Sequence, residues 1–474
     1  MIQVNAVTER QIFEKVKAAG QDHVFRFWNE LDTNGRQRLL RQLDEFDFNL
    51  INQLTEQYIL SPEENHFQHN IEPVHAISPT LSKSDKKRAE KIRHLGEKAI
   101  TENKVAALVV AGGQSTRLGF DGPKGKFQDW SISKKSLFQL YAEKIKALEL
   151  KYHSIIPWYI MTSQQNDAET KEFFDTNSFF GLRRNQVNFF QQGVMPALTT
   201  AGKLIIDAKD HVFVNPDGHG GALLALERSG ALANLQRQGI QWIFYFQIDN
   251  VLVNICDPLF LGYHIRNKAE MSAKVVAKCD PYEKVGVVGQ IDGKLQVIEY
   301  SDLSKEEMEA RNPDGRLKYN NGNIAIHLFN IDFIERLIKS GLKLPFHKAF
   351  KKIACLDETG NLIVPGKPNG YKFEMFIFDA LPAAREVVVM EVRREEEFSP
   401  IKNITGVDSP QTARQDMSNY YGTWLEKFGV KVPRDRNGNV SIHIEISPLF
   451  ALEPEDLNGK LLSSLNLRGD IYLD

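Results

Sequence analysis

A glycine-rich turn has the composition of a phosphate-binding loop. Gly112 and Gly113 follow an apolar segment, and Arg117 and Lys124 lie a few residues further along. Glycines leave backbone N–H groups accessible because no Cβ covers them, and such groups together with fixed cations favour a polyphosphate. The alternative is a tight turn with two solvated cations, but the Pro-Lys-Gly sequence around Lys124 favours phosphate binding.

Three familiar glycine-loop signatures do not fit this turn. A Walker loop requires GxxxxGK[ST], which no register of the turn supplies. The dinucleotide fingerprint GxGxxG fails because Gly112 and Gly113 are adjacent. A nucleophile elbow, GxSxG, fails because Arg117 occupies the position of its last glycine. The turn is therefore predicted to bind phosphate without belonging to any of these classes.

A carboxylate lies directly after a second apolar segment. Asp249 follows Trp242–Ile248, which is predicted to be a strand. Ligands of open α/β sheets bind beyond the carboxyl ends of the strands, and a carboxylate placed there can hold a Mg²⁺ ion that bridges phosphates. The alternative is an aspartate that caps a helix or a turn, and the dipeptide Asp249-Asn250 taken alone favours that alternative.

The elements that would position these residues alternate between strands and helices from Val105 onwards. Apolar runs predict the strands, and apolar residues at helical spacing predict the helices. The predicted strands are Val105–Val110, Ile155–Met161, Val187–Phe190 and Trp242–Ile248, and the predicted helices are Ser136–Lys151, Asp167–Phe174 with Asp167 as N-cap, and Ala222–Arg237. Such alternation indicates an α/β fold whose mixed sheet is mostly parallel and carries helices on both faces.

Strands dominate the next part of the chain. These predicted strands are Ala273–Ala277, Val285–Val288, Leu295–Tyr300 and Ile324–Phe329. Their succession without helices indicates an antiparallel insertion or lid. A helix near Ala413–Phe428 and a strand at Val440–Ile446 indicate a small separate α+β domain after Lys402.

The first hundred residues have apolar positions at helical spacing, which predicts a helical N-terminal part. Within it, Ser82–Lys98 is rich in lysine and arginine. A solvated helix face is the expected structure for this charged segment, and an anion-binding surface is the alternative.

The composition excludes several classes of protein. The 474 residues carry 59 Lys and Arg against 61 Asp and Glu, a formal charge of −2, which excludes a strongly basic nucleic-acid binder and an acidic disordered tail. Cys256, Cys279 and Cys355 are far apart and odd in number, so we expect no complete disulfide framework and a reducing compartment. The N-terminus lacks a secretory signal pattern, and the longest apolar stretch, Val105–Ala111, is too short to span a bilayer. We therefore expect a soluble, cytoplasmic protein without a nucleic-acid or membrane partner; the oligomeric state stays open.

The glycine-rich turn resembles the GGxGTRLGxxxPKG signature of the eukaryotic-type UDP-sugar pyrophosphorylases. Further motifs resemble that family in the same order over roughly residues 100–415, and they are most similar to its UDP-N-acetylglucosamine pyrophosphorylase branch. These motifs are Phe190–Ala197, Asn215–Gly221, Ile248–Asn250, Val285–Val288, Ile298–Ser301, Asn321–Ala325, Lys367–Gly370 with Lys372, and Phe398–Asn403. The resemblance implies a Rossmann-like nucleotidyltransferase domain at 101–402, between a helical part at 1–100 and a small domain at 403–474.

The implied reaction transfers a uridylyl group from UTP to a sugar-1-phosphate and releases pyrophosphate. The attacking phosphate oxygen is already ionised near neutral pH, so catalysis is expected to consist of positioning and charge neutralisation. The resemblance assigns catalysis to Arg117, Lys124 and Lys402, nucleotide binding to Ala111, Gly112, Gly113, Lys124, Gln192, Gly218, Asp249 and Lys372, sugar-phosphate binding to His219, Gly286, Glu299, Asn323 and Lys402, and metal binding to Asp249. The implied cofactor is Mg²⁺, with Mn²⁺ as an alternative, and the implied partners are UTP and the sugar-1-phosphate.

Two residues depart from the family pattern. Ser115 replaces the middle glycine of the signature, and a left-handed backbone there would cost about 1 kcal/mol. His219 replaces an asparagine that faces the sugar in the N-acetylhexosamine branch. The expected product is UDP-N-acetylglucosamine made from N-acetylglucosamine-1-phosphate. The alternatives are an enzyme for glucose-1-phosphate or for many sugars and, more distantly, a non-catalytic nucleotide-sugar sensor.

Overall fold

The computed structural model describes residues 6–60, 71–79, 83–460, 465 and 467–474. The chain divides into two compact units. The smaller unit is formed by Met1–His69, Gly193–Gly221 and Leu344–Ile377, and the larger unit by Asn70–Gln192, Ala222–Lys343 and Phe378–Asp474. The predicted parts at 1–100, 101–402 and 403–474 do not coincide with these units, and that three-part division stays a prediction.

Helices and strands follow one another through both units. The α-helices of the described residues are α1 (Ala6–Ala18), α2 (Thr33–Glu45), α3 (Phe48–Leu54), α4 (Lys83–Thr101), α5 (Leu137–Tyr152), α6 (Asp167–Thr176), α7 (Ala222–Arg228), α8 (Ala231–Arg237), α9 (Pro258–Arg266), α10 (Lys305–Glu309), α11 (Ile331–Lys339), α12 (Arg394–Glu397) and α13 (Pro410–Lys427). The strands are β1 (Ile71–Pro73), β2 (Val105–Val110), β3 (Trp158–Thr162), β4 (Val187–Gln191), β5 (Val194–Pro196), β6 (Leu198–Thr199), β7 (Ile206–Ala208), β8 (His211–Val212), β9 (Val214–Pro216), β10 (Trp242–Gln247), β11 (Met271–Ala277), β12 (Val287–Ile291), β13 (Lys294–Ile298), β14 (Asn321–Asn330), β15 (Phe346–Lys351), β16 (Cys355–Leu356), β17 (Leu362–Ile363), β18 (Gly370–Met375), β19 (Val387–Val392), β20 (Ile444–Ile446) and β21 (Ile471–Leu473).

A ten-stranded mixed sheet forms the centre of the larger unit. Its main path runs β1-β12-β14-β10-β2-β3-β4, while β11 and β19 continue from β14, and β13 pairs with β12. Strands β10, β2, β3 and β4 are parallel, as are β11 and β19, whereas β14 is antiparallel to its neighbours. The apolar strand β2 is buried along almost its whole length, as expected where helices cover both faces of a parallel sheet. The predicted α/β class with a mixed central sheet is confirmed.

The elements predicted between residues 105 and 250 are present, but two helices differ from their prediction, β3 begins at Trp158 instead of Ile155, and the short strands β5 to β9 were not predicted. The predicted strand Val105–Val110 coincides with β2. The prediction of Asp167 as an N-cap is wrong, because α6 begins at Asp167, and its carboxylate accepts a hydrogen bond from Lys171 Nζ at 2.7 Å. The predicted helix Ala222–Arg237 is two helices, α7 and α8, because Gly230 between them has a φ of +75°.

The antiparallel strands between residues 271 and 330 belong to the central sheet. Strand β11 pairs with β14 from Met271 to Ala277, and the β12–β13 pair joins β14 through β12. The predicted strands are therefore present with shifted bounds, but the predicted insertion or lid is wrong. In the predicted C-terminal domain, Trp424 of α13 and Ile444 of β20 pack into the same hydrophobic core as the central strands.

The N-terminal helical prediction holds in the described residues, with β1 as an added short strand. Helices α1, α2 and α3 contribute to the core of the smaller unit, around Leu39 and Leu43, whereas α4 belongs to the larger unit. Lys86, Lys87 and Lys91 of the basic segment are exposed on α4, as a solvated face requires. Residues 1–5, 61–70 and 80–82 of the predicted N-terminal part, and 461–464 and 466 of the predicted tail, lie outside the described residues. No described helix is long and apolar enough to cross a membrane.

Candidate active site

The glycine-rich turn follows β2 and lies against the residue that follows β4. The side-chain oxygen of that residue, Gln192, would be 2.8 Å from a Cβ on Gly112. A carbon does not approach an oxygen so closely without displacing it, so the glycine at 112 allows the Gln192 amide to reach the turn. Gly113 faces open space, since a Cβ there would meet no atom within 4 Å. Ala111 is fully buried at the base of the turn.

Backbone hydrogen bonds fold Lys124 back beside the glycines. Lys124 donates its N–H to Gly113 O at 3.2 Å, and Ser115 donates its N–H to Gly122 O at 3.1 Å. Ser115 has a φ of −93°, so the serine that replaces the glycine of the signature causes no left-handed strain, and the expected cost does not arise. Gly125 cannot be replaced without displacement, because a Cβ there would lie 2.1 Å from a phenylalanine ring.

An ion pair joins this turn to the carboxylate that follows β10. Lys124 Nζ lies 3.5 Å from Asp249 Oδ2, and the two side chains are only 15% and 13% exposed. Charges that are this well covered are screened less by solvent than charges at the surface. Arg117 is exposed on the same turn. A polyphosphate that lay against the turn would therefore meet two cations.

A segment from far along the chain joins this ion pair. Ile401 donates its N–H to Asp249 O at 2.9 Å, which places Lys402 beside the Asp249 turn. The Lys402 side chain is 46% exposed. A Cβ on Gly119 would lie 3.2 Å from a side chain of the loop that carries Lys402, so this loop also contacts the end of the glycine-rich turn. The structure thus brings Lys124, Asp249 and the Lys402 segment together in the larger unit.

Three residues predicted to bind the sugar form a second cluster in the larger unit. Asn323 donates its N–H to Gly286 O at 2.8 Å, and Glu299 Oε1 would be 3.4 Å from a Cβ on Gly286. Asn323 Oδ1 accepts the N–H of Ala325, which has a φ of +55°. A non-glycine residue held in the left-handed region is strained, and such strain is concentrated at functional sites. The cluster thus holds a carboxylate near Gly286 and an asparagine bonded to Gly286 O, and both side-chain types can bind the hydroxyl groups of a sugar.

His219 lies in the smaller unit, with Gly218 and Lys372. Its ring stacks on Phe376 with centroids 5.1 Å apart, and its Nδ1 accepts the N–H of Ile377 at 3.1 Å. Burial lowers the pKa of His219 to about 4, so the ring is neutral near pH 7. Because Nδ1 accepts a hydrogen bond, the neutral ring carries its proton on Nε2, where it is a donor like the amide of asparagine.

Gly218 and Lys372 keep their predicted nucleotide roles as predictions. Gly218 has a φ of +86°, and a Cβ there would lie 2.3 Å from Met375 O, so the position requires glycine. Lys372 lies on β18 with its Nζ 4.9 Å from the centre of the Phe213 ring. Burial lowers the pKa of Lys372.

Two residues of helix α5, Tyr141 and Lys144, contact the backbone around Asp249. Sequence analysis did not connect them with the site. The Tyr141 hydroxyl shares its one proton between Ile248 O at 3.0 Å and Asn250 O at 2.9 Å. Lys144 donates to Val251 O and Val253 O, both at 2.8 Å, and burial lowers its pKa to about 7. A lysine within the apolar stripe of a predicted helix was the signal that could have identified Lys144, since a buried amine needs polar partners.

A metal ion at this site could use the Asp249 carboxylate as a ligand. In the part of the chain that the structure describes, no group of three or more His, Cys, Asp or Glu side chains is placed to hold a metal ion. A single carboxylate suits Mg²⁺, which keeps several waters and takes its remaining ligands from substrate phosphates. Asp249 fits this requirement because its carboxylate keeps some exposure and adjoins the glycine-rich turn through Lys124.

Known proteins are similar to this chain in sequence and in fold. Residues 49–444 match the family model described as UTP–glucose-1-phosphate uridylyltransferase. Human UDP-N-acetylhexosamine pyrophosphorylase-like protein 1 is 38% identical to the chain, over 95% of the chain and 94% of that protein. The UDP-N-acetylglucosamine pyrophosphorylase of Saccharomyces cerevisiae is 35% identical, over 93% and 94%. The crystal structure of the uridine diphosphate N-acetylglucosamine pyrophosphorylase from Trypanosoma brucei superposes with a TM-score of 0.82 at 28% identity and covers 98% of both chains.

Proposed function

The chain belongs to the UTP–glucose-1-phosphate uridylyltransferase family, and from that membership we propose that it makes UDP-N-acetylglucosamine and pyrophosphate from UTP and N-acetylglucosamine-1-phosphate. The observation that carries the proposal is the Lys124–Asp249 ion pair, with the Lys402 segment hydrogen-bonded to Asp249 O. Names of the relatives favour the acetylated sugar, because both the human and the yeast proteins are called after UDP-N-acetylated sugars.

In the proposed reaction, an oxygen of the sugar phosphate forms a bond to the α-phosphorus of UTP. The bond from that phosphorus to the bridging oxygen of the leaving pyrophosphate breaks at the same time. The attacking oxygen is already an anion, so the protein has no proton to remove and must instead bring two polyanions together. Lys124 and Arg117 neutralise charge on the triphosphate and on the departing pyrophosphate, and Lys402 holds the sugar phosphate.

A divalent cation completes the proposed charge balance. We propose Mg²⁺, with Mn²⁺ as the alternative, held by Asp249 and supplying positive charge between the phosphates. The ion pair with Lys124 keeps the Asp249 carboxylate directed at the glycine-rich turn. A cation held by Asp249 would add its positive charge to that of the Lys124 amine, which lies 3.5 Å from the same carboxylate.

The base and the sugar are assigned to separate clusters. Gln192 offers both a donor and an acceptor to the uracil edge, and Ala111, Gly112 and Gly113 let the nucleoside lie against the backbone. Gly286, Glu299 and Asn323 bind the sugar ring, since the first exposes backbone and the other two offer polar side chains. These roles follow the family resemblance, and the distances in each cluster support them.

A panel of sugar phosphates tests the proposal. Purified protein would be mixed with UTP, Mg²⁺ and N-acetylglucosamine-, N-acetylgalactosamine-, glucose- or galactose-1-phosphate, and pyrophosphate release would be recorded. We expect fast release with the acetylated sugars. Release with glucose-1-phosphate alone would leave the proposed uridylyl transfer in place but change the proposed sugar substrate. No release with any sugar phosphate would favour a non-catalytic sensor.

Gly112→Ala is expected to raise the KM for UTP by about tenfold, because its Cβ displaces the Gln192 amide that binds uracil. The added methyl group would stand 2.8 Å from Gln192 Oε1. The matched control is Gly469→Ala, which adds the same methyl group where no atom lies within 4 Å. An unchanged KM for UTP in the Gly112 variant would remove Gln192 from the nucleotide site.

His219→Asn is expected to shift the preference towards N-acetylglucosamine-1-phosphate over glucose-1-phosphate by about threefold to tenfold, since the smaller amide keeps a donor and leaves more room. The ratio of kcat/KM for the two sugars measures this shift. His347→Asn is the matched control, because its ring stacks on Phe376 at 4.2 Å as His219 does at 5.1 Å. An equal ratio in wild type and variant would exclude His219 from the choice of sugar.

The low pKa of His219 predicts how the sugar preference depends on pH. Because burial lowers the pKa of His219 to about 4, its ring gains a proton only in acid. The wild-type sugar preference is therefore expected to stay constant from about pH 5.5 to about pH 8, the range in which an ordinary histidine would titrate. A change of preference centred near the ordinary histidine pKa would show that the ring is not held neutral.

A further inference from the structure

We propose that Asn250 is a positioning residue that fixes the Lys402 segment to the Asp249 turn, so that the metal-binding carboxylate and the sugar-phosphate lysine form one rigid pair. This inference rests on the proposed function for the roles of Asp249 and Lys402. It assigns to Asn250 a task that the family resemblance leaves open, since Asn250 lies beside both residues and is itself hidden from any ligand, at 2% exposure.

The Asn250 side chain uses both ends of its amide on the segment that leads to Lys402. Its Nδ2 donates to Glu397 O at 2.8 Å, and its Oδ1 accepts the N–H of Ser399 at 3.0 Å. Because the amide nitrogen donates to Glu397 and the amide oxygen accepts from Ser399, the side chain is fixed in one orientation. Such hydrogen bonds between buried groups are costly to lose, because the groups left behind have no water to replace the partner.

Backbone hydrogen bonds extend the contact on both sides of Asn250. Ile401 donates its N–H to Asp249 O at 2.9 Å, and Val251 donates its N–H to Ser399 O at 3.3 Å. Asn250 and Pro400 therefore face each other as an antiparallel bridge. Lys402 is the next residue after Ile401, so its position relative to Asp249 depends on this bridge.

The two segments that Asn250 joins are each anchored by further contacts. Glu397 accepts hydrogen bonds from the fully buried Lys274 Nζ at 2.6 Å and from Asn254 N–H at 3.1 Å. On the opposite side, Tyr141 and Lys144 hold the carbonyl groups of residues 248 to 253 from α5. The Asn250 amide therefore links two segments that are each held from elsewhere, and it makes two of the side-chain hydrogen bonds between them, beside the one from Asn254 N–H to Glu397.

A double-mutant cycle tests whether Asn250 acts through Lys402. Asn250→Ala is expected to lower kcat/KM for N-acetylglucosamine-1-phosphate by about thirtyfold and to leave the KM for UTP within about twofold. In a Lys402→Ala background, the same Asn250 substitution is expected to cost less than about threefold, because the lysine it positions is gone. Equal losses in the two backgrounds would overturn the proposal.

Two further variants separate positioning from general stability. Asn250→Asp keeps the shape of the side chain but replaces the Nδ2 donor with an oxygen that faces Glu397 O, so we expect a folded protein with a loss in kcat/KM of the same order as Asn250→Ala. Asn234→Ala, which removes an amide bonded to the Tyr159 hydroxyl at 2.9 Å, is the matched control and is expected to leave kcat/KM unchanged. Full activity in Asn250→Asp would overturn the proposal.

Amide hydrogen exchange keeps the inference testable if the proposed function fails. A wild-type protein that releases no pyrophosphate would refute the function, and the tether would then be judged by exchange instead of kinetics. In Asn250→Ala, the amides of Ser399 and Ile401 are expected to exchange at least about tenfold faster than in wild type, while those of β10 are unchanged. Unchanged exchange at both amides would show that Asn250 does not hold the segment.

Discussion

Asp249→Asn is expected to lower kcat by about a thousandfold while the protein stays folded. Asparagine has the same shape as aspartate, so the change removes one negative charge and little else. Without that charge, the cation loses the carboxylate that we propose holds it, and Lys124 Nζ loses the partner that lies 3.5 Å away. We therefore expect that higher Mg²⁺ concentrations do not restore the rate.

Pyrophosphate release, circular dichroism and thermal unfolding would be compared between wild type and this variant. Asp292→Asn is the matched control, because Asp292 is an exposed aspartate that directly follows strand β12 of the same sheet. The control is expected to keep wild-type kcat. A kcat for Asp249→Asn within tenfold of wild type would contradict the role of Asp249 in holding the cation.

Lys402→Ala is expected to lower kcat/KM for N-acetylglucosamine-1-phosphate by about a hundredfold or more and to leave UTP binding unchanged. The lysine side chain is 46% exposed, and its Nζ lies 3.5 Å from Asp408 Oδ2. An exposed pair of this kind contributes little to stability, so the loss would report on the substrate and not on folding.

Steady-state kinetics and calorimetric titration with UTP would separate the two substrates of the Lys402 variant. Lys431→Ala, an exposed lysine in the same unit, is the control and should behave as wild type. A tenfold weaker affinity for UTP, with sugar-phosphate kinetics unchanged, would show that Lys402 binds the nucleotide and not the sugar phosphate.

Local sequence patterns are sufficient to predict the structure of a segment whose conformation is determined by its neighbours along the chain. The run Val105–Val110 is apolar on both faces and forms β2 with the predicted bounds. Gly112 stands out because two adjacent glycines at the end of a strand indicate a close approach of the backbone, and the Gln192 side chain does approach it. The family motifs assign both Asp249 and Lys402 to the reaction, and the backbone hydrogen bond from Ile401 to Asp249 O brings the two segments together.

Other features depend on contacts that no local pattern encodes. Tyr141 fits the apolar side of its predicted helix, but its hydroxyl is bonded to two carbonyl groups beside Asp249. The break at Gly230 separates two helices that the apolar spacing joins, because a single left-handed residue stops the helix without changing the spacing. The strands predicted between residues 273 and 329 follow one another without helices, which indicated an insertion, but the pairing of β11 and β12 with β14 places them in the central sheet.

The backbone conformation of Ser115 is another feature that the sequence alone does not determine. The signature has glycine there, and the sequence alone could not decide whether the backbone needs a positive φ. The observed φ of −93° shows that it does not, so the family glycine is not required by backbone geometry at this position.

The most direct test of the central proposal is a phosphorus NMR time course of the wild-type protein with UTP, N-acetylglucosamine-1-phosphate and Mg²⁺. We expect the signals of UTP and the sugar phosphate to fall together, while UDP-N-acetylglucosamine and pyrophosphate rise in equal amounts. Appearance of UMP with pyrophosphate would show hydrolysis instead of transfer. Unchanged spectra, with UTP bound to the protein, would contradict the assignment of Lys124, Asp249 and Lys402 to catalysis.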